Sequence, residues 1–140
     1  MSRVFWDTNL FIYLVEDKGP RGRRVLDLRS RMLERNDELY TSALTLGEVL
    51  VKPLEVRDEG LRSQYENLIV GGCVVLPFDV QSARTYARIR RDRAIRAPDA
   101  IQLACAARAG IDLFITNDER LSGRVVEGIQ FITSLDRAFV

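Results

Sequence analysis

Short apolar runs at 3–6, 73–76 and 111–115 alternate with longer stretches whose apolar residues recur at helical spacing. That alternation predicts an α/β protein in which right-handed crossovers build a mainly parallel sheet sandwiched between helices. The length of 140 residues points to one domain spanning 1–140. Apolar residues make up 46% and charged residues 29%, a composition that folds into an ordinary core.

Taken in order, Arg3 to Trp6 reads as a buried strand with Asp7 at its carboxyl end, and Leu10 to Val15 starts a helix packed on it. Arg21 to Arg35 sets Val25, Leu28 and Met32 on one helical face and arginines on the other. Leu39 to Thr41 is a short strand. Thr41 or Ser42 then caps a helix carrying Leu46, Glu48, Val49 and Leu50, which Pro53 is expected to stop. A charged helix follows from Glu55 to Ile69, closed by Gly71 and Gly72. Cys73 to Leu76 is the next strand, and a basic amphipathic helix runs from Val80 to about Arg93. Pro98 suits the first turn of a helix apolar on nearly every side, with Gly110 as its C-terminal stop. Ile111 to Ile115 and Gln130 to Thr133 complete the strands.

Several chemistries are excluded by what the sequence lacks. There is no histidine, which removes Ser-His-Asp and Cys-His triads and imidazole-bound zinc. Cys73 and Cys105 sit far apart in apolar stretches and form no CxxC pair, so both read as small buried hydrophobes. No apolar run approaches the roughly 20 residues that cross a bilayer, and no basic-then-apolar leader opens the chain, so a cytoplasmic protein is expected. The net charge is only +1, so affinity for nucleic acid has to be local. All basic residues except Lys18 and Lys52 are arginine, the better fork for phosphate oxygens. They cluster at 21–35 and again at Arg84, Arg88, Arg90, Arg91, Arg93 and Arg96. The second cluster is the candidate RNA-binding face, with a solvated helix surface as the alternative.

In open α/β sheets the ligand crevice lies beyond the carboxyl ends of the strands. Asp7 and Asp118 each follow a strand toward that edge. Asp99 stands in the first turn of the apolar helix, where backbone N–H groups favour negative charge. Glu48, flanked at i−4 and i+3 by Leu44 and Val51, leaves a face read as half-buried, and Gly47 beside it is read as making room for a close neighbour. Each acid alone has a structural role available: a helix cap for Asp7, a favoured helix start for Asp99, an ion pair for Glu48, a turn for Asp118. Four converging carboxylates, however, cannot all ionise without a counter-cation. For an all-oxygen site the fitting ion is Mg²⁺ or Mn²⁺, with Asp7, Asp99 and Asp118 as ligands. Such an ion orients and acidifies water beside a phosphodiester. Thr8, Asn9, Thr116 and Asn117 are placed to hydrogen-bond the acids or the phosphate, although Asn117 also suits a turn.

The motifs V-F-W-D-T-N (4 to 9), T-S-A-L-T-L-G-E-V (41 to 49), I-R-A-P-D-A-I-Q-L-A-C-A-A (95 to 107) and L-F-I-T-N-D-E-R-L (113 to 121) together resemble the PIN-domain ribonucleases, particularly the VapC toxins of toxin–antitoxin pairs. The resemblance implies a PIN-like three-layer α/β/α sandwich and a Mg²⁺- or Mn²⁺-dependent endoribonuclease. It places the family's acidic quartet on Asp7, Glu48, Asp99 and Asp118, and the pocket hydroxyl on Thr116. It also implies a homodimer silenced by a VapB-like antitoxin. A solitary ribonuclease for RNA maturation and a non-catalytic binding module are the alternatives. A haloacid-dehalogenase-type phosphatase fails because Asn9 stands where its second acid is needed.

Overall fold

The five strands of the computed structural model, which describes residues 1–138, are β1 (Arg3–Trp6), β2 (Glu38–Ser42), β3 (Val74–Leu76), β4 (Ile111–Thr116) and β5 (Ile129–Ser134). The expected domain over 1–140 includes residues 139 and 140, which lie outside the described residues. The sheet order is β3-β2-β1-β4-β5, and every pairing is parallel. Val4, Phe5 and Trp6 are fully buried, as strand residues covered on both faces must be in a parallel sheet. Their position explains the order: the most apolar strand takes the centre.

Alternation along β1 divides the core into two layers. Val4 and Trp6 join Leu10, Phe11, Val25, Met32, Tyr65 and Ile69 on one side. That side is covered by α1 (Thr8–Glu16), α2 (Pro20–Glu34), α3 (Ala43–Glu55) and α4 (Glu59–Gly72). Phe5 points to the other side with Leu103, Phe114 and Ile132, under α5 (Val80–Ile89) and α6 (Ala97–Ala109). The Phe5 and Phe114 rings stack at 4.8 Å and 8°, fixing β1 against β4. The result is the expected three-layer α/β/α arrangement with a parallel sheet.

The local signals decide most boundaries. Asp58 and Asp79 cap α4 and α5 by accepting from Leu61 N–H and Ser82 N–H. Gly110 ends α6 in the left-handed region at φ 67°, where only glycine sits without strain. Three expectations are corrected. Pro53 does not stop α3, which continues to Glu55; the proline lies buried in the final turns, where it removes a single amide donor. Ser42 occupies the N-cap position but makes no side-chain cap, because its hydroxyl is turned to Gln102. The basic helix ends at Ile89 rather than near Arg93, since Arg90 folds back and donates to the Ile95 carbonyl at 2.6 Å.

Replacing Phe114 with Ala removes one ring of the stacked pair and leaves a void between two layers with no exposed surface. We expect a loss of about 3–5 kcal/mol in urea unfolding, with little change in the slope of the transition.

Candidate active site

Parallel strands aim their carboxyl ends at one edge, and Asp7 is the first residue past β1 there. Its N–H donates to the Ile115 carbonyl at 3.0 Å, so the backbone is tied to the neighbouring strand. Its side chain accepts from Thr8 N–H at 2.8 Å, capping α1, and from the Thr116 hydroxyl at 2.8 Å. Burial nevertheless pushes the carboxyl up to about 6; the two hydrogen bonds oppose that rise, and the charges of Asp99 and Glu48 add to it. The predicted cap is therefore real, yet it does not neutralise the group.

Asp99 enters from the first turn of α6. Burial raises its pKa, while Arg96 opposes the rise and Asp118 reinforces it. Asp118 lies beyond β4 in a turn, held well below the usual carboxylate range chiefly by Arg120. That guanidinium donates through Nε at 3.0 Å and through its terminal nitrogen at 2.7 Å. Arg96 stands between the two acids, 3.6 Å from Asp99 and 3.7 Å from Asp118. Glu48 reaches the same place from α3 and accepts from the Thr8 hydroxyl at 2.6 Å.

A cavity of about 390 Å³ is lined by all four acids, by Thr8, Asn9 and Gln102, and by Arg96, Ile12 and Pro98. The sequence-selected acids thus face one crevice. They do not yet close on a point: among the described residues, no group of three or more His, Cys, Asp or Glu side chains stands close enough to hold a metal ion. Glu48 is exposed at the rim rather than half-buried, and Val51 beside it is 53% exposed. Gly47 faces open space, so a close neighbour is not what requires a glycine there.

Other expectations shift. Thr116 contacts Asp7 and also accepts from Asp118 N–H at 3.0 Å, linking the ends of β1 and β4. Asn117 instead donates to the Tyr13 hydroxyl at 2.6 Å, because the chain turns it outward between Thr116 and Asp118. The candidate RNA-binding arginines divide: Arg90 is spent on the Ile95 carbonyl and Arg96 on the acids. Arg84 and Arg93 are exposed, while Arg88 and Arg91 line a separate cleft of about 880 Å³ with Arg108 and Arg124. The cysteines are poor nucleophiles, since burial pushes the Cys73 and Cys105 thiols up to about 12 and about 11.

Two residues at the site escaped the sequence reading. Arg120 was passed over as one base among many. Gln102 is 2% exposed and bonded to Ser42, Thr45 and Thr8. Its signal was present: it is the lone polar residue in the apolar run from Ala100 to Ala107, and a buried amide needs partners.

A parallel α/β/α sandwich with acids at the carboxyl edge of its central strands defines a class, and comparison with known proteins gives the family. Residues 4–125 match the PIN domain model, and the chain belongs to the PIN-domain family. It is 30% identical over 122 residues to Ribonuclease VapC23 of Mycobacterium tuberculosis, spanning 85% of this chain and 95% of that one. Its fold is similar to VapBC2 from Rickettsia felis bound to a promoter DNA fragment, with a TM-score of 0.73 at 12% identity over 94% and 97% of the two chains. It is also similar to DNA-bound VapBC from Salmonella typhimurium, with a TM-score of 0.66 at 22% identity over 96% and 99%.

A carboxyl group whose folded pKa is raised stabilises the fold while protonated and loses that contribution as pH rises through about 6. In metal-free protein, Asp7→Asn should therefore gain stability relative to wild type between pH 4 and pH 7, by up to about 3 kcal/mol. Urea unfolding at the two pH values reads the difference; a constant gap would contradict the assigned shift.

Proposed function

We propose that this protein is a metal-dependent endoribonuclease acting as the toxin of a VapB–VapC-type pair. The observation that carries the reading is the crevice lined by Asp7, Glu48, Asp99 and Asp118 without histidine or cysteine. An uncompensated buried carboxyl at Asp7, with two further acids raising its pKa, is an environment that favours a cation. The donor set is all oxygen and fits Mg²⁺ or Mn²⁺ rather than softer ions. Asp7, Asp99 and Asp118 would hold the ion, with Glu48 beside them. When bound, such an ion acidifies a water and neutralises charge growing on phosphoryl oxygens.

The chain's own groups support hydrolysis in specific ways. Thr116 and Thr8 hold the two oxygens of Asp7, so its orientation is set before substrate arrives. Arg96 and Arg120 neutralise Asp99 and Asp118 while no phosphate is present. Either guanidinium can turn to an incoming phosphodiester, whose oxygens it matches in geometry. Arg84, Arg88, Arg91 and Arg93 are the remaining candidates for the RNA backbone; Arg90 is withdrawn by its internal bond. An RNA substrate supports a cytoplasmic location.

The antitoxin partner rests on the VapBC complexes that share the fold. Exposed Val51, Leu54, Val56 and Val70 on and beside α3 and α4 give a partner or a second copy an apolar surface to cover. The pairing of Arg96 and Arg120 with the acids favours a second reading, a non-catalytic module whose acids are neutralised internally.

Cleavage of total RNA in Mn²⁺ separates the two readings. Wild type should cut, and Asp7→Asn and Asp99→Asn should lose activity while keeping their circular dichroism. An inert wild type would select the module. Millimolar Mn²⁺ or Mg²⁺ should raise the melting temperature of wild type but not of Asp7→Asn, because a ligand bound only by the native state stabilises it. Neutralising Arg84, Arg88, Arg91 and Arg93 together should weaken RNA binding and flatten its salt dependence; an unchanged slope returns that face to solvent.

A further inference from the structure

We propose that Gln102 is a positioning residue that fixes the direction of a buried hydrogen-bond relay ending on the Glu48 carboxylate. The inference rests on the catalytic reading above and extends it to a residue outside the acidic set.

The relay joins four elements in the layer beneath the crevice. Gln102 projects from α6, Ser42 from the end of β2, Thr45 from α3, and Thr8 from the start of α1. Ser42 and Thr45 have no exposed surface and Gln102 has 2%. Solvent therefore cannot supply missing partners, and the donors and acceptors must balance among themselves.

One assignment satisfies every contact. A carboxylate only accepts, so the single Thr8 hydroxyl hydrogen points to Glu48 Oε1 at 2.6 Å. Thr45 lies 3.2 Å from Thr8 and, with the Thr8 hydrogen already committed, Thr45 donates to Thr8. Thr45 accepts in turn from Gln102 Nε2 at 2.8 Å, and the second Nε2 hydrogen goes to Thr8 at 3.1 Å. Gln102 Oε1 accepts from Ser42; with the amide flipped, Thr8 would have no hydrogen for Oε1 and Thr45 could serve only one of Thr8 and Oε1, so the flipped amide makes fewer bonds in this closed set. Every hydrogen is used once, and no oxygen accepts more bonds than it has lone pairs. The glutamine is the only member with two donors on one atom, and because both threonine oxygens accept from it, their hydrogens are turned away from the amide, that of Thr45 toward Thr8 and that of Thr8 toward Glu48, the sense the carboxylate also requires.

The consequence is geometric. Glu48 lies at the exposed rim of the crevice on a flexible side chain, close to Asp7, whose charge repels it. The Thr8 bond holds one carboxylate oxygen inward against that repulsion. Thr8 also donates its backbone N–H to Asp7, so one residue orients two acids, and Gln102 orients that residue. An apolar side chain at 102 would release both hydroxyls to other rotamers and let Glu48 swing out.

A double-mutant cycle tests this. Wild type, Thr8→Val, Gln102→Met and the double variant are compared for Mn²⁺ affinity by calorimetry without RNA, and for kcat and KM on one RNA. Each single variant should bind Mn²⁺ about tenfold more weakly, the scale of outer-shell partners. The value of kcat should fall with KM unchanged. Because Gln102 acts through Thr8, the double variant should be no worse than Thr8→Val. Losses that multiply, or Mn²⁺ affinity unchanged in Gln102→Met, would overturn the relay even if its melting temperature falls, as a purely structural role would have it. If Gln102→Met does not fold, Gln102→Asn keeps a neutral amide but draws its donors back from both threonines, and the same loss is expected; wild-type affinity there overturns the proposal. A wild type that binds no Mn²⁺ and cuts no RNA overturns the catalytic reading itself, whereas multiplied losses in an active wild type overturn the relay alone.

Discussion

The structure depends on a conflict at the end of its central strand. The sheet's best-buried strand ends in a carboxylate, and the backbone bond from Asp7 to Ile115 allows no retreat toward solvent. Desolvation then works against ionisation, and two neighbouring acids worsen the position. Everything around the edge reads as a response to that conflict: the Thr8 N–H and the Thr116 hydroxyl, the amide-led relay below, and two arginines above. Stability alone would favour an apolar residue at position 7. Retaining the acid is a cost that a function explains.

The arginines give the edge a second character. Asp118 is held strongly ionised by Arg120 while Asp7 is driven toward the neutral form, so two carboxyl groups in one crevice differ in proton affinity. Arg96, shared at longer distances between Asp99 and Asp118, is the looser of the two cations and solvent-exposed. Its contacts are beyond ideal hydrogen-bond length, and surface pairs of that kind are weak. Asp99 is thus balanced by a group that yields easily, whereas Asp118 keeps the two closer bonds from Arg120.

Strand order and helix faces were legible because they follow from period and from burial on both sides; the apolar 4–6 and 111–115 runs could only be central. Asp7, Asp99 and Asp118 could be picked out as candidates because strand ends and helix starts are places the chain marks by itself, whereas Glu48, in the middle of α3, was chosen for a half-buried face that the structure exposes. What escaped was set by tertiary context. Pro53 inside α3 defeats the local rule, since burial in packed surroundings outweighs one missing donor. The arginines at 90, 96 and 120 looked alike in sequence and were separated by what lay within reach: a carbonyl, two acids, one acid. Gln102 was hidden by the apolar residues around it, although that contrast was itself the clue.

The central strand also governs how the protein is made. Its pairing spans most of the chain described: Val4, Phe5 and Trp6 pair with Leu113, Phe114 and Ile115, and pairing so distant in sequence forms late and slowly. While a ribosome has released only the first hundred residues, β1 has no neighbour on that side and the Asp7 amide no carbonyl to meet. A nascent chain therefore carries most of the acids without the edge that assembles them. Any hydrolytic power of this fold therefore waits on β4, which lies far along the chain from β1.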